Sequence, residues 1–241
     1  MPAPPTRSIG RRIAVGLAWL LAILLLPGLL AGRIFIAQPF KMPSGSMMPT
    51  LLVGDYFFVS KSAYGYTRYT LPLAPPVFSG RIWAAEPQRG DLVVFRLPSD
   101  DSIDYVKRVV GLPGDRVQMI GGELHLNGVA VKHERIEDFV YDEDGRTTRA
   151  KRWRETLPNG VSYETLDLQE KGFLDDTPVY TVPAGHYFML GDNRDNSTDS
   201  RVLSTVGHVP ADHLIGRVTM IFYSIDESSK LRYDRMGLYV Q

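Results

Sequence analysis

Apolar and polar positions follow two different rhythms along this chain. From Ile13 to Gly32 no charged residue occurs. A helix of roughly 20 residues rises about 30 Å, the thickness of a bilayer's hydrocarbon core. The run therefore predicts a transmembrane anchor over residues 13–32. Arg7, Arg11 and Arg12 precede it, against Arg33 and the more distant Lys41 after it. That bias predicts a cytoplasmic tail over 1–12 and places the remainder outside. A cleaved secretory signal fits less well. The run exceeds the usual apolar region of about 7 to 15 residues, and cleavage after Ala31 or Ala37 would put Leu29 or Phe35 where a small residue is required.

After the anchor the pattern turns to short apolar runs bounded by turn residues, which predict strands. These are Tyr56–Val59, Leu92–Phe95, Asp104–Val110, Tyr187–Leu190 and Arg217–Tyr223. The second and third read as a hairpin pair, and Leu112-Pro113-Gly114-Asp115 suits a type II turn. Gly121-Gly122, Asn127-Gly128, Asp144-Gly145 and Asn159-Gly160 mark turns between short strands. Charges cluster from Asp142 to Glu155. Residues 122–181 are thus expected to be an inserted, polar, β-rich lobe, with 33–121 and 182–241 forming the main domain.

Composition narrows the chemistry. The 241 residues carry 27 basic and 27 acidic side chains, so no net charge points to nucleic acid. The absence of cysteine excludes disulfides and thiol catalysis. With 5 histidines, and Glu137 where a second histidine would stand after His133-Glu134, no zinc motif is present. No metal or other cofactor is expected.

Three stretches could carry chemistry. Met42–Asp55 places Ser44, Gly45 and Ser46 between Pro43 and Pro49, which predicts a stiff, non-helical loop presenting Ser46. Such a loop could be an ordinary turn, and a serine needs a base and oxyanion donors to act as a nucleophile. Lys107, in the predicted strand 104–110, shares a face with Tyr105 and Val109. An apolar face disfavours the ammonium and frees a neutral amine, although an edge lysine also discourages aggregation. Gly191–Arg201 interleaves Asp, Asn and Arg. Its spacing does not fit a calcium loop and suits charge-assisted hydrogen bonds that fix the loop's shape.

Together these stretches resemble type I signal peptidases, the bacterial leader peptidases. Pro43–Leu51 resembles their nucleophile box, Asp104–Asp115 their general-base box, and Gly191–Arg201 their closing box. The resemblance implies a mostly β, signal-peptidase-like catalytic domain of barrel or sheet form, with an inserted lobe and one transmembrane helix before it. It implies Ser46 as nucleophile and Lys107 as general base, a Ser-Lys dyad. Ser44 would complete the oxyanion hole and Ser197 would orient the lysine amine. Arg108, Asp192, Arg194, Asp199 and Arg201 would form ion pairs behind the site. Phe40, Met42, Met47, Leu51, Phe57, Val94, Tyr105 and Val106 would wall shallow pockets for the small side chains of an Ala-x-Ala motif. Many relatives begin with two membrane segments and carry a longer insertion.

The expected protein is a monomeric serine endopeptidase, held in the cytoplasmic membrane with its domain on the outer side. It would remove signal peptides from exported preproteins, its partners being those preproteins and the lipid bilayer. A self-cleaving Ser-Lys regulator fits less well, because such proteins lack an anchor. A silent anchored binding module would be expected to lack Ser46 or Lys107, and both are present.

Overall fold

The computed structural model describes residues 10, 14–21, 23, 25, 28, 32, 37–71, 74–76, 78–143, 146–226 and 228–240. Residues 14–21, 23, 25, 28 and 32 are helical. Among the described residues no helix is long and apolar enough to cross a membrane. The tail expected over 1–12, apart from Gly10, and much of the anchor expected over 13–32 lie outside the described residues.

The rest is mostly β. In chain order the strands are β1 (Ala37–Lys41), β2 (Asp55–Ser60), β3 (Leu92–Arg96), β4 (Asp104–Gly111) and β5 (Arg116–Ile120). Next come β6 (Glu123–Leu126), β7 (Val129–Ala130), β8 (Lys132–Glu143), β9 (Arg146–Thr156) and β10 (Ser162–Asp167). The last are β11 (Tyr180–Thr181), β12 (His186–Leu190), β13 (Val209–Pro210) and β14 (Leu214–Ser224). A seven-stranded sheet has the order β1-β2-β14-β3-β4-β12-β13, a three-stranded one β10-β9-β8, and a four-stranded one β11-β5-β6-β7.

Side-chain alternation accounts for the strands read from sequence. In β2, Asp55, Phe57 and Val59 are buried, while Tyr56, Phe58 and Ser60 are half-buried. β3 and β4 form the expected antiparallel pair, with Val93 opposite Lys107 and Val94 opposite Val106. β3 is buried on both faces: Val94 joins a core with Met42, Met47, Leu51 and Phe57, whereas Val93 and Phe95 join another with Val109 and Met189. The Leu112–Asp115 turn forms as expected. Gly114 takes φ +89°, and the Asp115 N–H donates to the Leu112 carbonyl at 3.0 Å.

Two features differ from the sequence reading. β1 was not expected; it is an edge strand paired with β2, with Pro39 opposite Phe58. The polar stretch after Val131 holds the long strands β8 and β9, of 12 and 11 residues, rather than a series of short ones. A third core, with Val117, Leu124, Tyr163 and Phe188, joins β5, β6 and β10 to β12.

Candidate active site

Ser46 sits just after β1, in a single 3-10 turn, Gly45–Met47, rather than in the wholly irregular loop expected from the flanking prolines. The turn is held from both ends. Met47 and Leu51 are fully buried beneath it, and the Leu51 N–H donates to the Met47 carbonyl at 2.9 Å. From the closing loop, the Asn193 N–H donates to the Ser46 carbonyl at 3.2 Å and Asn193 Nδ2 to the Gly45 carbonyl at 3.1 Å. Gly191 is required there. A Cβ on it would lie 2.6 Å from the Ser46 carbonyl oxygen and 2.1 Å from Ser197 Oγ.

Lys107 comes from β4. That strand pairs with β3 along its length up to Arg108, but with β12 only from Arg108 onward. Its edge from Asp104 to Lys107 is thus left facing the Ser46 turn. Lys107 Nζ donates to Ser46 Oγ at 2.7 Å, with the two residues 3% and 8% exposed. Burial lowers the Lys107 pKa to about 8. The carboxylates of Asp199 and Asp192 oppose that shift, and the Arg201 guanidinium adds to it. The amine also lies 5.4 Å from the centroid of the Tyr105 ring, on the face anticipated from strand alternation.

Behind the pair lies a buried ionic frame. Arg108 grips Asp192 with two bonds, Nε to Oδ1 at 2.8 Å and Nη2 to Oδ2 at 2.7 Å. Asp192 also accepts from Thr50 Oγ1 at 2.5 Å, so the frame reaches the far side of the serine loop. Arg201 grips Asp199 in the same two-pronged way, at 2.8 Å for each bond, and Asp199 Oδ2 accepts from the Gly191 N–H at 3.0 Å. Burial alone would raise the Asp199 pKa, yet the Arg201 guanidinium holds it below the ordinary carboxylate range. Arg194 bonds to Glu155 at 2.6 Å, and Tyr163 OH donates to the same carboxylate at 2.8 Å. Nothing in the local sequence marks Glu155 or Tyr163. They meet the closing loop only because β9 and β10 fold against it.

The cleft before Ser46 holds about 560 Å³ and is lined by Phe40, Met42, Phe57, Val94, Tyr105 and Val106 among the residues expected as walls. Met47 and Leu51, expected with them, instead pack wholly in the core below. Ile103, Asp104, Asn196 and Thr198 also line the cleft without having been anticipated. Ser44 lies at its mouth, with Oγ 3.3 Å from Ser46 Oγ. Ser197 lines the cleft with Lys107; no hydrogen bond joins its hydroxyl to the amine, and the hydroxyl instead lies close enough to Asp199 to help hold that carboxylate's pKa down. Among the described residues no group of His, Asp and Glu side chains could hold a metal ion.

A mostly β domain whose cleft sets a serine hydroxyl against a buried lysine amine defines the class as that of the β-fold serine hydrolases. Comparison with known proteins names the family. The signal peptidase family, peptidase S26, matches residues 12–223. Signal peptidase I of Rickettsia typhi is 42% identical over 200 residues, 80% of this chain and 74% of its own. That of Rickettsia akari is 39% identical over 232 residues, 93% and 85% of the two chains. A crystal structure of a signal peptidase I from Enterococcus faecalis aligns with 56% of this chain and 98% of its own, at 27% identity and a TM-score of 0.33. The chain belongs to the signal peptidase family, peptidase S26, and is a serine endopeptidase that cleaves signal peptides.

Proposed function

We propose that the chain cleaves preproteins after an Ala-x-Ala motif by a Ser46–Lys107 dyad, at the outer face of the cytoplasmic membrane. The observation that carries this reading is the 2.7 Å contact between two buried groups, Lys107 Nζ and Ser46 Oγ. Neutral Lys107 takes the Ser46 proton as Oγ attacks the scissile carbonyl. The Ser44 hydroxyl and the Ser46 N–H hold the oxyanion. As the C–N bond breaks, Lys107 returns the proton to the departing amine of the mature protein. A water, deprotonated by the same amine, then hydrolyses the acyl-enzyme and frees the signal peptide. Ser197, which lines the same cleft, is assigned the part of orienting the lysine amine. The ionic frame holds β4 and the closing loop against the serine turn and takes no part in proton transfer.

The apolar walls Phe40, Phe57, Val94 and Val106 leave room for small side chains, which supports selection of alanine. Anchoring is supported by the exposure of Leu17, Trp19, Leu20 and Ile23 on the N-terminal helical residues. Lipid removes the cost of wetting such side chains. Residues 33–121 and 182–241 form the catalytic domain in this reading, and 122–181 the lobe that braces the closing loop. The test is to incubate detergent-purified protein with an Ala-x-Ala precursor, beside Ser46→Ala and Lys107→Ala variants. Cleavage by the parent alone is expected; cleavage by either variant removes that residue from the dyad.

A further inference from the structure

Beyond the apolar walls the cleft continues into a second cavity of about 420 Å³, with Phe40 and Asp104 shared between the two. Strand register places it. On β1, β3 and β4 the wall residues are Phe40, Val94 and Val106, and Val94 faces Val106 across the β3–β4 pair. Two positions further from Ser46, on the same strand faces, stand Gln38, Arg96 and Asp104, with Arg96 opposite Asp104. An extended peptide repeats its side-chain direction every two residues. If the third residue before the scissile bond meets the apolar wall, the fifth meets this cavity.

We propose that this cavity is a further specificity subsite, which binds a neutral hydrogen-bonding side chain at the fifth residue before the cleavage point. The proposal rests on the peptidase reading above. Its chemistry follows from charges that are present but already matched. Arg96 Nε lies 2.8 Å from Asp104 Oδ1, and Arg68 Nη2 lies 3.0 Å from Asp101 Oδ2. Tyr69 OH donates to Asp101 at 3.0 Å. A cationic or anionic guest meets one member of like charge and gains from the other only by prising a pair apart. A guest such as asparagine can donate to a carboxylate and accept from a guanidinium while both pairs stay closed. An aliphatic guest covers these polar groups without bonding to them, which is unfavourable.

The test uses full-length enzyme in detergent and Ala-x-Ala precursors that differ only at the fifth residue: asparagine, leucine, aspartate or lysine. A single hydrogen bond corresponds to about a two- to tenfold effect, so kcat/KM for asparagine should exceed the other three by that factor. Asp104→Asn leaves Arg96 unmatched and should make aspartate better than lysine; Arg96→Gln should reverse that order. Each ratio is taken within one enzyme preparation, so loss of folded protein cancels. Equal kcat/KM across the series in the parent, or the same charge preference in both variants, overturns the subsite while leaving the peptidase intact. Failure of the parent to cleave any of the precursors overturns the peptidase reading itself, and the subsite with it.

Discussion

The hydroxyls of Ser44 and Ser46 lie 3.3 Å apart, yet only that of Ser46 reaches the lysine amine. Their replacement should therefore separate two kinds of loss. Ser46→Ala should abolish turnover, whereas Ser44→Ala should lower kcat by about 10² to 10³ with little change in KM, the usual cost of one oxyanion donor. Steady-state kinetics on one precursor checks this, and parental kcat in Ser44→Ala removes Ser44 from the oxyanion hole. The two residues proposed to react were named by the resemblance of their boxes, while the local pattern alone gave only their setting. Two prolines and a glycine frame Ser46, and strand alternation alone puts Lys107 on the Tyr105 face. The resemblance gave Ser197 as the hydroxyl that orients the amine; it lines the cleft, but no hydrogen bond joins it to Lys107. Met47 and Leu51 read as walls because they flank the serine. The tight turn instead directs both into the core, where they support it.

At the scale of elements, the closing loop connects the serine turn to the outer strands. The Leu166 N–H of β10 donates to the Asp192 carbonyl at 2.9 Å, and the Arg194 N–H donates back to the Leu166 carbonyl at 2.9 Å. The Glu155–Arg194 pair completes that clasp, with both groups buried. Removing one partner of a buried pair strands the other, at a cost of about 3–5 kcal/mol. Glu155→Gln should lower unfolding stability by that order in chemical denaturation; an unchanged midpoint would show that the clasp carries no load. Gly191→Ala should cost about 1–3 kcal/mol through overpacking, and because the new methyl meets the Ser46 carbonyl, activity should fall further than the folded fraction does. Elements were legible where alternation was clean, as in β2, or where a short apolar run was bounded by turn residues, as in β3 and β4. β1 was missed because five residues containing Pro39 carry little strand signal by themselves, and pairing with β2 is what fixes them as a strand. The charge-rich stretch concealed β8 and β9, whose outward faces are polar.

For the whole molecule, the proposed anchor over 13–32 and the arginines before it predict an orientation. Protease added to intact spheroplasts should digest the domain beyond Arg33; digestion only after lysis would reverse that topology. Whether a neutral Lys107 drives Ser46 is tested most directly by the pH dependence of kcat/KM. An ordinary lysine, with a pKa near 10.4, is almost wholly charged at neutral pH. Burial brings Lys107 down to about 8. Its active form is the unprotonated one, so activity of the free enzyme must rise as pH increases through that value and fall tenfold per unit well below it. Lys107→Arg should be inactive at every pH, because a guanidinium does not deprotonate in a protein. The parent should show an acidic limb with an apparent pKa near 8, and Lys107→Arg no turnover; a pH-independent profile, or cleavage by Lys107→Arg, would remove Lys107 as the base.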